Sequence, residues 1–274
     1  MTRRQLLAAA ATAAAVPRLY ADPLGMPIGT QTYPMRDAIG KDFPGTLRQM
    51  AGMGYRTIEM CSPPGYLSSG FGSLASLKAP EIRRIIQDAG LRCESCHYGF
   101  SELRQHLEER TAFAKELGLT QMVLSSFGLP NAATLDDWTR AAAELNKIGE
   151  QVLKAGMQLG YHNHNNEFNE LDGTLIYDRL MSTFDAKLVR LQFQVAVISL
   201  GFEAATYFKK YPGRFLSIHL ADYSTADKKQ VAVGAGVVDW KSLFAAAKIG
   251  GVKNYFVEVN PDLMGPSYTY LHTL

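Results

Sequence analysis

Residues 90–127, GLRCESCHYGFSELRQHLEERTAFAKELGLTQMVLSSF, contain one full turn of the pattern that decides the fold. RCESCHY (92–98) and QMVLSSF (121–127) read as strands, and 102–117 between them reads as a helix. Gly118 follows that helix and precedes the next strand, the place where a helix is closed by a residue tolerant of positive φ. Working outward, the same alternation recurs. Further strands are expected at 28–33, 57–60, 157–164, 188–195, 215–222 and 254–260. Further helices fall near 43–53, 79–89, 135–155, 174–184, 202–211, 239–249 and 264–273. Ile82, Ile85, Ile86 and Ala89 repeat at i, i+3, i+4 and i+7, which is one face of a helix. Asp136 and Asp137 sit in a first helical turn, where the helix dipole favours negative charge. Gly54, Gly90 and Gly156 close helices as Gly118 does. Eight strand–helix units with no long linker predict a closed parallel α/β barrel, (β/α)8, in one domain. A doubly wound open sheet would carry a GxGxxG turn after its first strand, and none is present.

Length agrees, since 274 residues accommodate a barrel of roughly 250 residues and little else. The formal net charge of +2 and the absence of a basic stripe argue against a nucleic-acid partner. Residues 1–21 are set apart from the barrel at 22–274. Arg3-Arg4 before Leu6-Leu7, then an alanine run to Val16, reads as a twin-arginine-type signal segment, so a periplasmic or otherwise exported protein is expected. No later stretch reaches the 18 or so apolar residues of a spanning helix, and no membrane span is expected in the mature protein. Cys61, Cys93 and Cys96 make no disulfide framework, and Cys93–Cys96 lacks the second ligand pair of a zinc site. They read as buried small side chains.

In such a barrel the active site lies at the C-terminal ends of the strands, and alternation selects the side chains that point inward. The inward set is polar: Gln31, Tyr33, Glu59, His97, His162, His164, Gln194, His219 and Glu258. Each taken singly can be a satisfied core residue. Buried polar groups without partners cost about 1–3 kcal/mol each, so their convergence on one end points to a site. Histidines on strands 5 and 7 and a carboxylate on strand 8 form an oxygen/nitrogen set suited to Mn²⁺, Mg²⁺, Co²⁺ or Zn²⁺.

IGTQTYPMRDAIGKDFPGTLRQMAGMGYRTIEM (28–60), LGYHNHNNEF (159–168), YPGRFLSIHLAD (211–222), VGAGVVDWKSLFAAAK (233–248) and NYFVEVN (254–260) carry a resemblance. They resemble the xylose-isomerase-like TIM-barrel family, the sugar phosphate isomerase/epimerase and AP-endonuclease-family-2 superfamily, from about residue 27 to the C-terminus. Such proteins commonly hold a divalent metal with Glu, Asp, His and Glu on strands 5, 6, 7 and 8. His219 and Glu258 match the last two positions. Strand 5 has His162 at its end and Glu167 a few residues on, leaving two choices for the ligand, and Gln194 stands where the strand 6 aspartate is usual. The resemblance thus implies a metal set of His219, Glu258, Gln194 and Glu167, with one anion fewer than usual.

Three functions follow. The first is a metal-dependent isomerase or epimerase of a non-phosphorylated sugar, with Glu258 and Glu167 as base and acid about an enediolate. His97, His162, His164, Arg36 and Glu59 would bind its hydroxyls. The second uses the same proton abstraction to expel a β-substituent, as a 3-keto-glycoside lyase or hydratase. The third is a non-catalytic sugar-binding barrel. Each takes a small carbohydrate, and relatives that self-associate make a homo-oligomer the expected partner.

Overall fold

The computed structural model describes residues 22–274. The expected signal segment at 1–21 lies outside the described residues. Eight parallel strands form the barrel: β1 (Gly29–Gln31), β2 (Thr57–Cys61), β3 (Arg92–Gly99), β4 (Gln121–Ser126), β5 (Gln158–His162), β6 (Val189–Gln194), β7 (Phe215–Leu220) and β8 (Asn254–Val257). Each pairs with its neighbour in sequence, and β8 closes on β1 through Thr30 opposite Val257. The helices on the outside are α1 (Arg36–Lys41), α2 (Phe43–Gly52), α3 (Ala79–Asp88), α4 (Phe100–Leu117), α5 (Leu135–Lys154), α6 (Ile176–Thr183), α7 (Ala204–Lys210), α8 (Trp240–Gly250) and α9 (Pro261–Leu271). No helix among the described residues is long and apolar enough to cross a membrane.

Local chemistry explains the element ends. Thr134 caps α5, its hydroxyl accepting from Asp137 N–H while Asp137 returns a bond to Thr134 N–H. Gly118 ends α4 at φ 91°, and its N–H reaches the carbonyls of Ala114 and Lys115. Trp138, Leu145, Ile148 and Val152 turn one face of α5 toward the barrel and are buried. The barrel's own interior is closed by Val123, Leu216 and Phe256, all buried. Gly160 makes room there, because a Cβ on it would come 3.1 Å from Val123 and 3.2 Å from Leu216.

Differences from the sequence expectation concentrate at the mouth. Strands 5, 7 and 8 stop at His162, Leu220 and Val257, two to three residues early. His164 and Glu258 therefore lie just past their strands, where period-two alternation no longer sets direction. Two short hairpins add to the rim, Glu170–Leu171 with Thr174–Leu175 and Asp222–Ser224 with Lys229–Val231. The three cysteines are free and buried, as read from the sequence.

Candidate active site at the barrel mouth

Glu59 on β2 is completely buried, and its carboxylate is reached by five donors. Gln31 Nε2 lies 2.7 Å, His219 Nε2 2.5 Å and His97 Nε2 3.0 Å from Oε2. Ser95 Oγ and Gln192 Nε2 (2.8 Å) donate to Oε1. Burial alone would raise the pKa of this carboxyl; the charges of His97 and His219 override it and hold it well below the carboxylate range. Glu59 was expected among the hydroxyl-binding residues; it lies inside the barrel with both oxygens engaged and no exposed surface.

His219 on β7 joins Glu59 to Glu258. Its Nδ1 lies 2.9 Å from Glu258 Oε2, and Gln194 Nε2 donates to the same oxygen at 2.5 Å. Both ring nitrogens of His219 thus face carboxylates, so both carry protons. Burial works against this cation, but Glu258 and Glu59 outweigh it and lift the His219 pKa to about 10. For Glu258 too, burial opposes ionisation and His219 prevails, so its pKa is lowered. The Glu258 side chain is 19% exposed, against none for Glu59. Glu258 is therefore the carboxylate of this cluster that meets the mouth.

The imidazoles of His97, His162 and His219 gather beside it. Their ring centroids lie 5.0 Å (His97–His162), 4.5 Å (His162–His219) and 5.1 Å (His97–His219) apart. Burial, then the neighbouring histidines, pushes the His162 pKa well below its usual value, so this ring is neutral. Its Nδ1 is buried with no partner among the described residues.

The other expected residues are placed as follows. His164 is exposed on the mouth 4.8 Å from the His162 ring, measured between centroids. Arg36 stacks 4.6 Å over Tyr33 and donates to the Tyr33 carbonyl at 3.2 Å. Glu167 lines the mouth with His164 and Gln194 but bonds to none of the histidine rings. One of its oxygens accepts from Tyr161 Oη at 2.5 Å and the other from His164 N–H at 2.9 Å. Burial raises its pKa, and those two bonds offset part of the rise. The segment 165–168 turns into a short helix, and Glu167 caps that turn. Glu167 was expected as a metal ligand and catalyst; in this arrangement both of its oxygens are engaged by Tyr161 and His164.

Sequence reasoning missed Ser95, Gln192 and Gln230. Alternation already contained a signal for the first two, since Ser95 shares a face with His97 and Gln192 with Gln194. Gln230 gave none. It sits on the 222–231 hairpin, donates to the Glu258 carbonyl at 3.3 Å and accepts from Asn260 N–H at 2.9 Å, so the hairpin holds the Glu258 segment.

The residues fit a divalent cation. One ligand atom from each of His97, His162 and His219 lies within 4.8 Å of the others, His162 Nδ1 has no partner, and Glu258 is adjacent through His219, which would release one of its two ring protons on taking up the ion. Three imidazoles and one carboxylate suit Zn²⁺, Co²⁺ or Mn²⁺ better than Mg²⁺, which prefers oxygen. Gln194, expected as a metal ligand at the position where an aspartate is usual, bonds to Glu258 and through Oε1 to Ala196 N–H (3.2 Å), and so supports the carboxylate.

A closed eight-stranded barrel with its polar cluster at the strand C-termini places the protein among the TIM barrels. The chain belongs to the family described as xylose isomerase-like TIM barrel, which it matches over residues 47–262. It is 28% identical over 142 residues to a protein of Lacticaseibacillus casei named inosose dehydratase, a match covering 45% of this chain and 47% of the relative. The matched part thus spans about half the length of that relative. Among solved structures, a sugar phosphate isomerase/epimerase from Parabacteroides distasonis superposes with a TM-score of 0.79 at 24% identity, covering 96% of this chain and 97% of that one. An IolI protein with a bound zinc atom superposes with a TM-score of 0.62 at 13% identity, covering 90% and 94%.

Proposed function

We propose that the protein is an enzyme, a metal-assisted lyase that removes a proton α to the carbonyl of a neutral keto-sugar or keto-cyclitol and expels a β-substituent. One observation carries this choice: Glu258 is the partly exposed carboxylate of the histidine cluster, whereas Glu167, which lines the mouth beside His164, has both oxygens engaged by Tyr161 Oη and His164 N–H. Epimerisation needs a proton acceptor and a donor on opposite faces of the substrate, whereas elimination needs one group that takes the proton and returns it to the leaving group.

Glu258 is ionised beside His219 and accepts the α-proton. The C–H electron pair enters the carbonyl as an enolate, then moves to form the carbon–carbon double bond as the β-oxygen leaves. Glu258 returns its proton to that oxygen, giving an enone and water or an alcohol with no change of oxidation state. Gln194 and His219 hold the carboxylate in place throughout. A cation held by His97, His162, His219 and Glu258 would supply Lewis-acid polarisation of the carbonyl. The inosose dehydratase relative, a water-eliminating enzyme by name, and the zinc of the IolI structure support the reading.

A second reading, isomerisation or epimerisation, is favoured by His164, which is exposed at the mouth and available as a second proton-transfer group. Incubation in D₂O with keto-cyclitols and 3-keto-glucosides, followed by mass spectrometry, separates the two. Elimination yields a product lighter by the leaving group, and isomerisation returns the starting formula with one deuterium. Glu258→Gln lowers either rate at least ~10³-fold, in keeping with loss of a general base. Saccharide binding with neither deuterium uptake nor product would leave a sugar-binding barrel instead. Export is likewise a proposal, supported by Arg3-Arg4 and the alanine run. It is tested by fractionating cells that express the chain with Arg3→Lys and Arg4→Lys.

A further inference from the structure

The mouth does not end at the histidine cluster. A cleft of about 520 Å³ starts at Gln194 and His164 and runs along the loop after β5 to Leu129 and Trp138. A second cleft of about 280 Å³ shares Leu129, Trp138 and Asn166 with it and continues to Asn131 and Asn169. The first alone falls in the range of about 300–1,000 Å³ usual for small-molecule sites, so the two together exceed the needs of one sugar ring.

The lining chemistry is specific. No Lys or Arg lines either cleft, so neither offers a clamp for a phosphate. Asn131, Asn165, Asn166 and Asn169 are all exposed. The backbone carrying Asn166 and Asn169 is fixed, with Asn169 N–H on the Asn166 carbonyl (3.1 Å) and Ile176 N–H on the Asn169 carbonyl (3.0 Å). Their side-chain amides are thereby presented from a rigid loop. A carboxamide both donates and accepts, as a sugar hydroxyl does, and Leu129 with the little of Trp138 that is exposed offers apolar lining for the C–H face of a ring.

We propose that this groove is a subsite for a second ring, so that the substrate is a neutral glycoside and the group expelled is a sugar or a polyol of similar size. The inference rests on the elimination reading above. It deepens that reading because the groove opens at Gln194, whose amide holds Glu258. A β-substituent leaving a ring seated over Glu258 departs along it.

The test measures affinity by calorimetry for glucose, methyl β-glucoside, cellobiose and trehalose, on the full chain loaded with zinc. At least one disaccharide is expected to bind about tenfold tighter than glucose, from two or so added hydrogen bonds. That ratio falls to about threefold or less in Asn166→Ala/Asn169→Ala and, independently, in Asn131→Ala, with circular dichroism confirming the fold. Equal affinity for glucose and every disaccharide, or a ratio indifferent to both variants, overturns the subsite. Loss of the leaving group from a 3-keto-glucoside by the same preparations, read by mass spectrometry, reports separately on the elimination chemistry. Elimination with no disaccharide preference sinks the subsite alone, whereas the absence of both elimination and saccharide binding sinks both.

Discussion

Glu59 carries a negative charge into a barrel interior and is tolerated there because five donors surround it. Removing one partner of such a network leaves the others buried and unmatched. Glu59→Gln is expected to cost about 3 kcal/mol, visible as a lower urea midpoint; an unchanged midpoint would show that the charge is dispensable. Titration of the metal-free protein gives a second residue-scale outcome. His219 is raised from 6.5 to about 10, so its contribution is complete below about pH 6.5 and is lost as pH climbs through 10. Glu59 and Glu258 are depressed, so theirs is complete above about pH 4.5 and is lost as pH falls. His162 is depressed, so burying it neutral costs stability as pH falls below about 6.5, and chelator-treated protein should therefore melt highest near pH 6.5 and decline on both sides. A melting temperature still rising from pH 7 to 10 would contradict the His219 bridge.

At the scale of elements, the loop after β7 is organised by one carboxylate. Asp222 accepts from the N–H groups of Tyr223, Gly234, Gly236 and Val238 and from Trp240 Nε1, at 2.9–3.2 Å. A Cβ at Gly236 would come 2.2 Å from Asp222 Oδ1, which is why glycine stands there. Asp222→Ala orphans five donors and should cost about 3 kcal/mol or more, with hydrogen exchange rising across 232–240. Protection unchanged in that segment would mean the loop holds itself. This loop also shows where sequence reading stops. The eight strands and their helices were legible because each is a periodic run bounded by glycine or a cap, and the barrel followed from their count. The hairpins at 170–175 and 222–231 were not, being two or three residues per strand and set by tertiary contacts such as Gln230 to Glu258. The site divided in the same way. Gln194, His219 and Glu258, read from strand ends, come together at the mouth, whereas Glu167 is turned toward Tyr161 by the short helical turn after β5, which alternation does not describe.

For the whole molecule, a cation bound by three different strands would tie β3, β5 and β7 together in the folded state alone. Zinc or cobalt at about 100 times its dissociation constant should add about 2.7 kcal/mol of stability, read as a higher melting temperature. His219→Ala should abolish the rise, and a rise that persists in that variant would place the ion elsewhere. The cysteines have a consequence of a different kind. Cys61, Cys93 and Cys96 are buried, and burial lifts the Cys93 thiol to about 12 and holds the other two well above the usual thiol range. A thiol engineered onto the exposed hairpin beside Glu258 would then be the one nucleophile a maleimide dye can find. The molecule comes ready for fluorescence readout of its own mouth, with no native residue to remove first.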